Sequence, residues 1–399
     1  MKEDMLINLL NSKLIFVSKN YDQYYPVCRL IISFGDGTVA YIRNEDTAEW
    51  DNSIKILYAS LCKVETNVSL IEFQSYINRL IYLKRFIDFK SILEHFKNTP
   101  LKEYHFIKPA LGLKFNNTNY VNYSDITLIK KEFLTEYFKD NNDVLELIEM
   151  RLKMNESLIF IDVTCKAKDS TKAKELAIKK FKIIDICFRF LLKGSNSKTL
   201  RFGLYSLNYE SLSNMIGYST NEFITINEEN NEHSVSIDDY LETLFETSLA
   251  KRVWALLENS ELNDMEKRIR EAIIWISMAS HENENSIAFL QCFLALEAIL
   301  LVQDGFINKS IVAQISEYIA FLLSADSKKR IAIEKEIKKL YSTRSAIAHG
   351  KKKSDIDSDI IKIFSLTRTL IVKFLCDESL KQIHKISELC DYITKLKFS

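Results

Sequence analysis

Leu340-Tyr341-Ser342-Thr343-Arg344-Ser345-Ala346-Ile347-Ala348-His349-Gly350 closes a long helical pattern on an arginine and a histidine five positions apart. A guanidinium offers a planar fork of donors matched to phosphate oxygens, and an imidazole is the side chain best suited to moving a proton near neutral pH. Together they are equipped to act on a phosphodiester. Five residues of an ideal helix turn through about 500°, which sets Arg344 and His349 about 140° apart. The arginine is long enough to reach around the turn, and Gly350 marks the expected helix end.

Working outward, Phe293-Leu-Ala-Leu-Glu-Ala-Ile-Leu-Leu301 is an apolar helical pattern interrupted by one carboxylate, Glu297. Burying that charge unpaired is costly, and Arg344 is its expected partner. Flanking periodicity predicts helices at about 263 to 280, 286 to 303, 308 to 324, 327 to 349, 356 to 376 and 379 to 397. Ser236 with Asp239 reads as a capping arrangement opening a further helix through Asn259.

Composition agrees with a helix-rich chain. Only 8 Gly and 3 Pro punctuate 399 residues, and 47% of them are apolar, which disfavours a turn-rich β architecture and a disordered chain. Lys+Arg and Asp+Glu are both 54, so no global field gathers nucleic acid and any such binding must come from a local basic face. Seven scattered cysteines, with no Cys-x-x-Cys, suggest neither a disulfide framework nor a zinc site and predict a cytoplasmic chain without metal or other cofactor. The most apolar stretch, Ile287 to Val302, contains Gln291 and Glu297 and is too short to span a bilayer, so no membrane insertion is expected.

The N-terminal part mixes strands with helices. Pro26 to Phe34 and Thr38 to Ile42 flank Gly35-Asp36-Gly37 as a β-hairpin, and Ser69 to Lys97 has helical spacing. Leu158 to Val163 reads as a strand, Asp169-Ser170-Thr171 as the cap of a helix whose inward face runs from Ala173 to Leu191, and Leu200 to Ser206 as a second strand after a C-cap at Gly194. The lysines of that helix, among them Lys172, Lys174, Lys179, Lys180 and Lys182, read as a solvated face or as a nucleic-acid track. Polar residues 226 to 235 mark the expected boundary between an N-terminal α+β region, 1–235, with room for two subdomains, and a helical domain, 236–399.

Arg344-x4-His349-Gly350, Tyr341, the Phe293 to Leu301 helix, Arg268 to Ile276 and the apolar helix from Ile360 to Leu375 together resemble the HEPN family of helical domains, in particular its Apea-like branch, over about residues 264–375. That resemblance implies a mainly α protein whose C-terminal antiparallel helical bundle dimerises, facing two Arg/His pairs across one composite cleft. It further implies metal-independent endoribonuclease activity with Arg344 and His349 catalytic, supported by Glu297, Ser345 and Tyr341. Such proteins often serve as regulated anti-phage defence or toxin-type effectors, so the expected partners are RNA, a second copy of the chain, and a phage-derived trigger or inhibitory partner of the N-terminal region.

Two departures matter. Many active relatives carry Asn, Asp or His directly after the arginine, where this chain has Ser345, a weaker proton acceptor. In a toxin branch a tyrosine follows the histidine by two residues, but here that place is Lys351, which argues against AMP transfer there. Lys351, Lys352 and Lys353 are expected either to grip a phosphate backbone or to form a solvated basic loop. His281 and His384 read as surface or capping residues, and His95, His105 and His233 have no metal or triad partners in the sequence. The rival expectation is a non-catalytic HEPN scaffold that binds RNA or a partner protein, with Arg344 and Glu297 serving structure alone.

Overall fold

Helix dominates, as the scarcity of Gly and Pro requires. The computed structural model describes residues 2–18, 28–33, 38–83, 88–140, 142–151, 158–192, 203–204, 214–219, 222–227, 235–282, 284–302, 310–350 and 356–398. In chain order the first half holds α1 (Lys2–Lys13), β1 (Ile15–Ser18), β2 (Cys28–Ser33), β3 (Thr38–Arg43), α2 (Thr47–Cys62), α3 (Leu70–Tyr82), α4 (Phe89–Asn98), β4 (Lys102–Leu111), β5 (Leu113–Lys114), β6 (Tyr120–Tyr123), β7 (Ile126–Lys130), α5 (Leu134–Tyr137), α6 (Asn142–Arg151), β8 (Ile159–Ala167) and α7 (Ser170–Leu192). The rest holds β9 (Gly203–Leu204), β10 (Asn214–Ser219), β11 (Glu222–Asn227), β12 (Val235–Ser236), α8 (Leu241–Phe245), α9 (Ser248–Glu258), α10 (Asp264–Ala279), α11 (Asn285–Leu300), α12 (Ile311–Leu323), α13 (Ser327–Ala348), α14 (Ile356–Cys376), α15 (Glu378–Lys381) and α16 (Ile386–Phe398).

The chain divides into two compact units, one of Met1–Phe106 with Val163–Lys179 and one of Ile107–Asp162 with Lys180–Ser399. This differs from the expected division at residue 235, because the chain leaves the first unit within β4, returns to it within β8 and leaves it again within α7. Residues 228–234, the core of the expected boundary, lie outside the described residues.

In the first unit, β1, β3 and β2 form a sheet in that order, with both neighbours antiparallel to β3. The hairpin strands are therefore present, and the Gly35-Asp36-Gly37 turn between them lies outside the described residues. Trp50, Leu57, Phe73, Ile77 and Phe96 meet in a core with Leu10 and Ile42, each buried to 2% exposure or less. Removing this much apolar surface from water is the main stabilising term of such a unit. Two residues of the returning segment hold helix ends. The Asp169 carboxylate accepts the backbone N–H of Ser69 at 2.9 Å and of Lys172 at 2.8 Å, serving the starts of α3 and α7 at once. Lys168 pairs with Glu65 at 2.7 Å and donates to the Phe96 and Lys97 carbonyls at the C-terminal end of α4, where the helix dipole favours a cation.

A five-stranded sheet runs β6-β7-β8-β4-β9, with β6 antiparallel to β7 and β9 antiparallel to β4. Of the expected strand Leu200 to Ser206 only Gly203–Leu204 is described, and the expected C-cap Gly194 lies outside the described residues. β5 pairs in parallel with β12. Beside them the Asp238 carboxylate accepts the backbone N–H groups of Asn116 at 2.7 Å, Asn117 at 3.3 Å and Thr118 at 3.0 Å, and the Ser236 hydroxyl at 3.0 Å. Ser236 thus belongs to a strand and to this turn, and the helix expected from it through Asn259 is replaced by α8 and α9. The break falls at Thr247, whose hydroxyl accepts the Ala250 N–H at 3.1 Å, while the Trp254 indole donates to the Leu244 carbonyl at 2.8 Å. Local capping outweighs continuation of the apolar period here.

Beyond α9 the helices expected between about 263 and 376 are present, but the one expected at 379 to 397 is split into α15 and α16, because the His384 N–H goes to the Glu388 carboxylate at 2.7 Å and the Ile386 N–H to Asp264 at 3.1 Å instead of to helix carbonyls. α10 opens on a capping box between Asn263 and Glu266. It packs on α11, α11 packs on α14 and α13, and α12 packs on α13. α11 is buried around much of its girth, with Phe289, Cys292, Phe293, Leu296 and Ile299 all fully covered. α13 differs: Ile337, Leu340 and Thr343 are its buried residues, so a narrow seam in its second half holds a 22-residue helix in place. No helix among the described residues is long and apolar enough to cross a membrane.

Candidate functional site

The C-terminal turns of α13 and the second half of α11 bring three of the singled-out side chains, Arg344, Glu297 and Tyr341, together. Arg344 Nη2 stands 3.2 Å from Glu297 Oε1, with the two side chains 28% and 15% exposed. The approach lacks hydrogen-bond angles, so Glu297 Oε1 and Arg344 Nε have no hydrogen-bond partner among the described residues. Burial pushes the Glu297 carboxyl's pKa above its usual value, and the neighbouring guanidinium pulls it partway back. The Arg344 guanidinium also lies 5.5 Å from the Tyr341 ring centroid, within cation–π range. Tyr341 meets Phe293 edge to face, with centroids 5.4 Å apart and ring planes at 90°. Burial raises the Tyr341 hydroxyl's pKa, against a smaller lowering influence of Arg344.

His349 is placed differently. It is the C-cap of α13, with its backbone N–H on the Ser345 carbonyl at 3.1 Å and its side chain exposed. The imidazole makes no hydrogen bond or ion pair among the described residues. Gly350 follows with φ +74°, the left-handed conformation that ends a helix, and its N–H binds the Ile347 carbonyl at 2.9 Å. Ser345 contributes its carbonyl to this cap and sits half-buried. The site therefore joins a guanidinium fixed from two sides to an imidazole standing in solvent at the end of the same helix. Lys351, Lys352 and Lys353 lie outside the described residues.

Two supports were not apparent from the spacing. Thr343, beside Arg344 in sequence and fully buried, donates its hydroxyl to the Asp359 carboxylate of α14 at 3.2 Å. A buried carboxylate in the first turn of α14 also suits the positive end of that helix. Arg268 of α10 donates to the Ala298 carbonyl at 3.2 Å and the Leu301 carbonyl at 3.0 Å, and its Nε faces Asp264 at 3.2 Å. It thereby steadies the last turn of α11 immediately after Glu297. The available signal was weak: an Asp in a first helical turn, and an Asp264/Arg268 pair at i, i+4.

His384 is a cap contact, its ring nitrogen Nδ1 2.9 Å from Asn263 Nδ2 and its carbonyl accepting the Met265 N–H at 3.0 Å. Among the described residues no group of three or more His, Cys, Asp or Glu side chains is placed to hold a metal ion.

Compared with models of protein families, with curated proteins and with solved structures, the chain finds no match.

Proposed function

We propose that this chain is an endoribonuclease of the HEPN type, cleaving RNA at a site built on Arg344 and His349. The observation that carries the reading is the arrangement at the end of α13: a guanidinium braced by Glu297 and Tyr341, followed one turn on by an exposed imidazole with no competing partner among the described residues. In the reaction His349 takes the proton of a 2′-hydroxyl as its oxygen bonds to the adjacent phosphorus. Arg344 donates to the non-bridging oxygens as negative charge grows there. The bond from phosphorus to the 5′ oxygen breaks, and that oxygen leaves with a proton from an imidazolium or from water. The products are a 2′,3′-cyclic phosphate and a 5′-hydroxyl, and DNA is not a substrate because it lacks the attacking group. In keeping with the resemblance, the working form is a symmetric dimer with two such sites facing one cleft, and the activity belongs to a regulated defence or toxin-type effector.

The test is incubation of purified protein with cellular RNA in EDTA. Cleavage leaving cyclic phosphate ends, lost in His349→Ala and Arg344→Ala but retained in a surface control, supports the reading. Inertness of the wild type, or unchanged cleavage by both variants, overturns it.

A second reading rests on the same ion pair. Because the Arg344 guanidinium is engaged with Glu297 and Tyr341, a scaffold that binds RNA or a protein without cutting would hold the same geometry. Cleavage assayed alongside folding in Arg344→Ala separates the two.

A further inference from the structure

The outward face of α13 carries charge that the bundle does not neutralise. Residues 327–348 contain seven cations, Lys328, Lys329, Arg330, Lys335, Lys338, Lys339 and Arg344, against Glu334 and Glu336, in a chain whose Lys+Arg and Asp+Glu totals are equal. Five of these positions are internally satisfied. Lys338 pairs with Glu334 at 2.5 Å, Arg344 faces Glu297, Arg330 donates to the Ser324 carbonyl at 2.7 Å and stacks on Phe321, and Glu336 is taken by Lys362 at 3.7 Å. Lys328, Lys329, Lys335 and Lys339 are left exposed, and none has a carboxylate within ion-pair reach among the described residues; Lys329 stands about 100° around the helix from Lys328.

On a helix turning 100° per residue, Lys328, Lys335, Lys339, Ser342 and His349 fall within a sector of about 80°. They form a stripe along the helix, about 30 Å from Lys328 to His349, that ends on the exposed imidazole. A solvated helix face normally interleaves carboxylates among its lysines, and this stripe has none. Its one large apolar side chain is Ile331, 68% exposed, which is too little to embed in a lipid surface.

We infer that Lys328, Lys335 and Lys339 form a track for the phosphate backbone of single-stranded RNA, leading the strand along α13 to His349. The inference rests on the nuclease reading for its end point, but the binding it asserts is independent of cleavage. A single strand fits better than a duplex because in-line attack by a 2′-hydroxyl needs a nucleotide free of helical stacking, and because an isolated row of ammonium groups follows a flexible backbone without reading sequence.

The probe is a labelled oligouridine with 2′-O-methyl sugars, which binds but cannot be cut, followed by fluorescence anisotropy at several salt concentrations. Lys328→Gln/Lys335→Gln/Lys339→Gln is expected to weaken binding by roughly tenfold or more at low salt and to flatten the log–log salt slope by about 2, the value for three lost phosphate contacts on a single strand. A control with three exposed lysines elsewhere, Lys55→Gln/Lys267→Gln/Lys395→Gln, is expected to bind like wild type. Equal losses in the two triple variants, an unchanged slope, or no binding by the wild type overturns the track. Cleavage of unmodified oligouridine is read in parallel: if His349→Ala cuts as well as wild type, the nuclease reading falls while the anisotropy still decides the track.

Discussion

Arg344 and Glu297 face each other at 3.2 Å without the angles of a hydrogen bond, so the pair is held by charge and by the walls around it. Such a contact costs most when one partner is removed, because the other is left half-buried and uncompensated. Arg344→Ala is expected to destabilise the fold by about 1–2 kcal/mol in urea denaturation, discounted from the fully buried case for its partial exposure. Arg344→Lys should recover most of that stability yet little cleavage, since an ammonium keeps the charge but not the fork of donors.

The raised proton affinity of Glu297 gives this pair a definite pH dependence. Its folded-state pKa lies above its ordinary value of 4.5, so the folded chain binds the proton more readily than the unfolded one. Stability from this group is fully present below pH 4.5 and is lost as pH rises through the raised value. Wild type compared with Glu297→Gln across that range should show its advantage shrinking as pH increases. A difference that stays flat or grows with pH would contradict the cause assigned here.

Asp238 behaves in the opposite sense. Burial pushes its carboxyl up, but three backbone N–H groups and the Ser236 hydroxyl together outweigh that and hold it at a pKa of about 2, below the ordinary 3.8. Its contribution is present above pH 3.8 and is lost as pH falls towards 2. Asp238→Ala is expected to cost about 1 kcal/mol at neutral pH, reduced from the full linkage value because the position is partly solvated. The variant's penalty should vanish in acid, as read from thermal melts at stepped pH.

Thr343→Val removes the hydroxyl from the 3.2 Å bond to Asp359 while keeping the shape of the side chain. With both groups buried, the expected cost is about 1–2 kcal/mol. Because Thr343 adjoins Arg344, the turnover of RNA should fall while affinity for the uncleavable analogue stays near wild type. A variant as stable and as active as wild type would show that the bond supports neither.

Gly350→Ala tests the helix end. Nothing lies within 4 Å of a β-carbon built there, so the whole penalty is that of the φ +74° backbone, about 1 kcal/mol. His349→Ala, at an exposed position, should leave the melting transition where it is and abolish cleavage.

The helices from 264 to 376 were legible because apolar residues recur there at a steady 3.6-residue period, and the Glu297–Arg344 pairing because a lone carboxylate in an apolar helix demands a cation; the break between α15 and α16 was not. The break between α8 and α9 was hidden: Thr247 and the Trp254 indole act through local hydrogen bonds that leave no period. The exchange of the chain between two units was equally hidden, since it depends on strand pairing between segments far apart in sequence. The geometry around His349 was legible only as far as its helix-ending position, for the exposure of an imidazole depends on what packs beside it.

Asp169 and Lys168 also set an order of events. Both act on helices made far earlier, α3 starting at Leu70 and α4 ending at Asn98. During synthesis the ribosome must therefore deliver the intervening 107–162 segment before the carboxylate and the ammonium reach those helix ends. Until then the start of α3 lacks the Asp169 carboxylate on the Ser69 N–H, and the last carbonyls of α4 lack their cation. Closure of the first unit across this long separation is a high-contact-order step, and a nascent chain halted before residue 163 holds its early core unclasped.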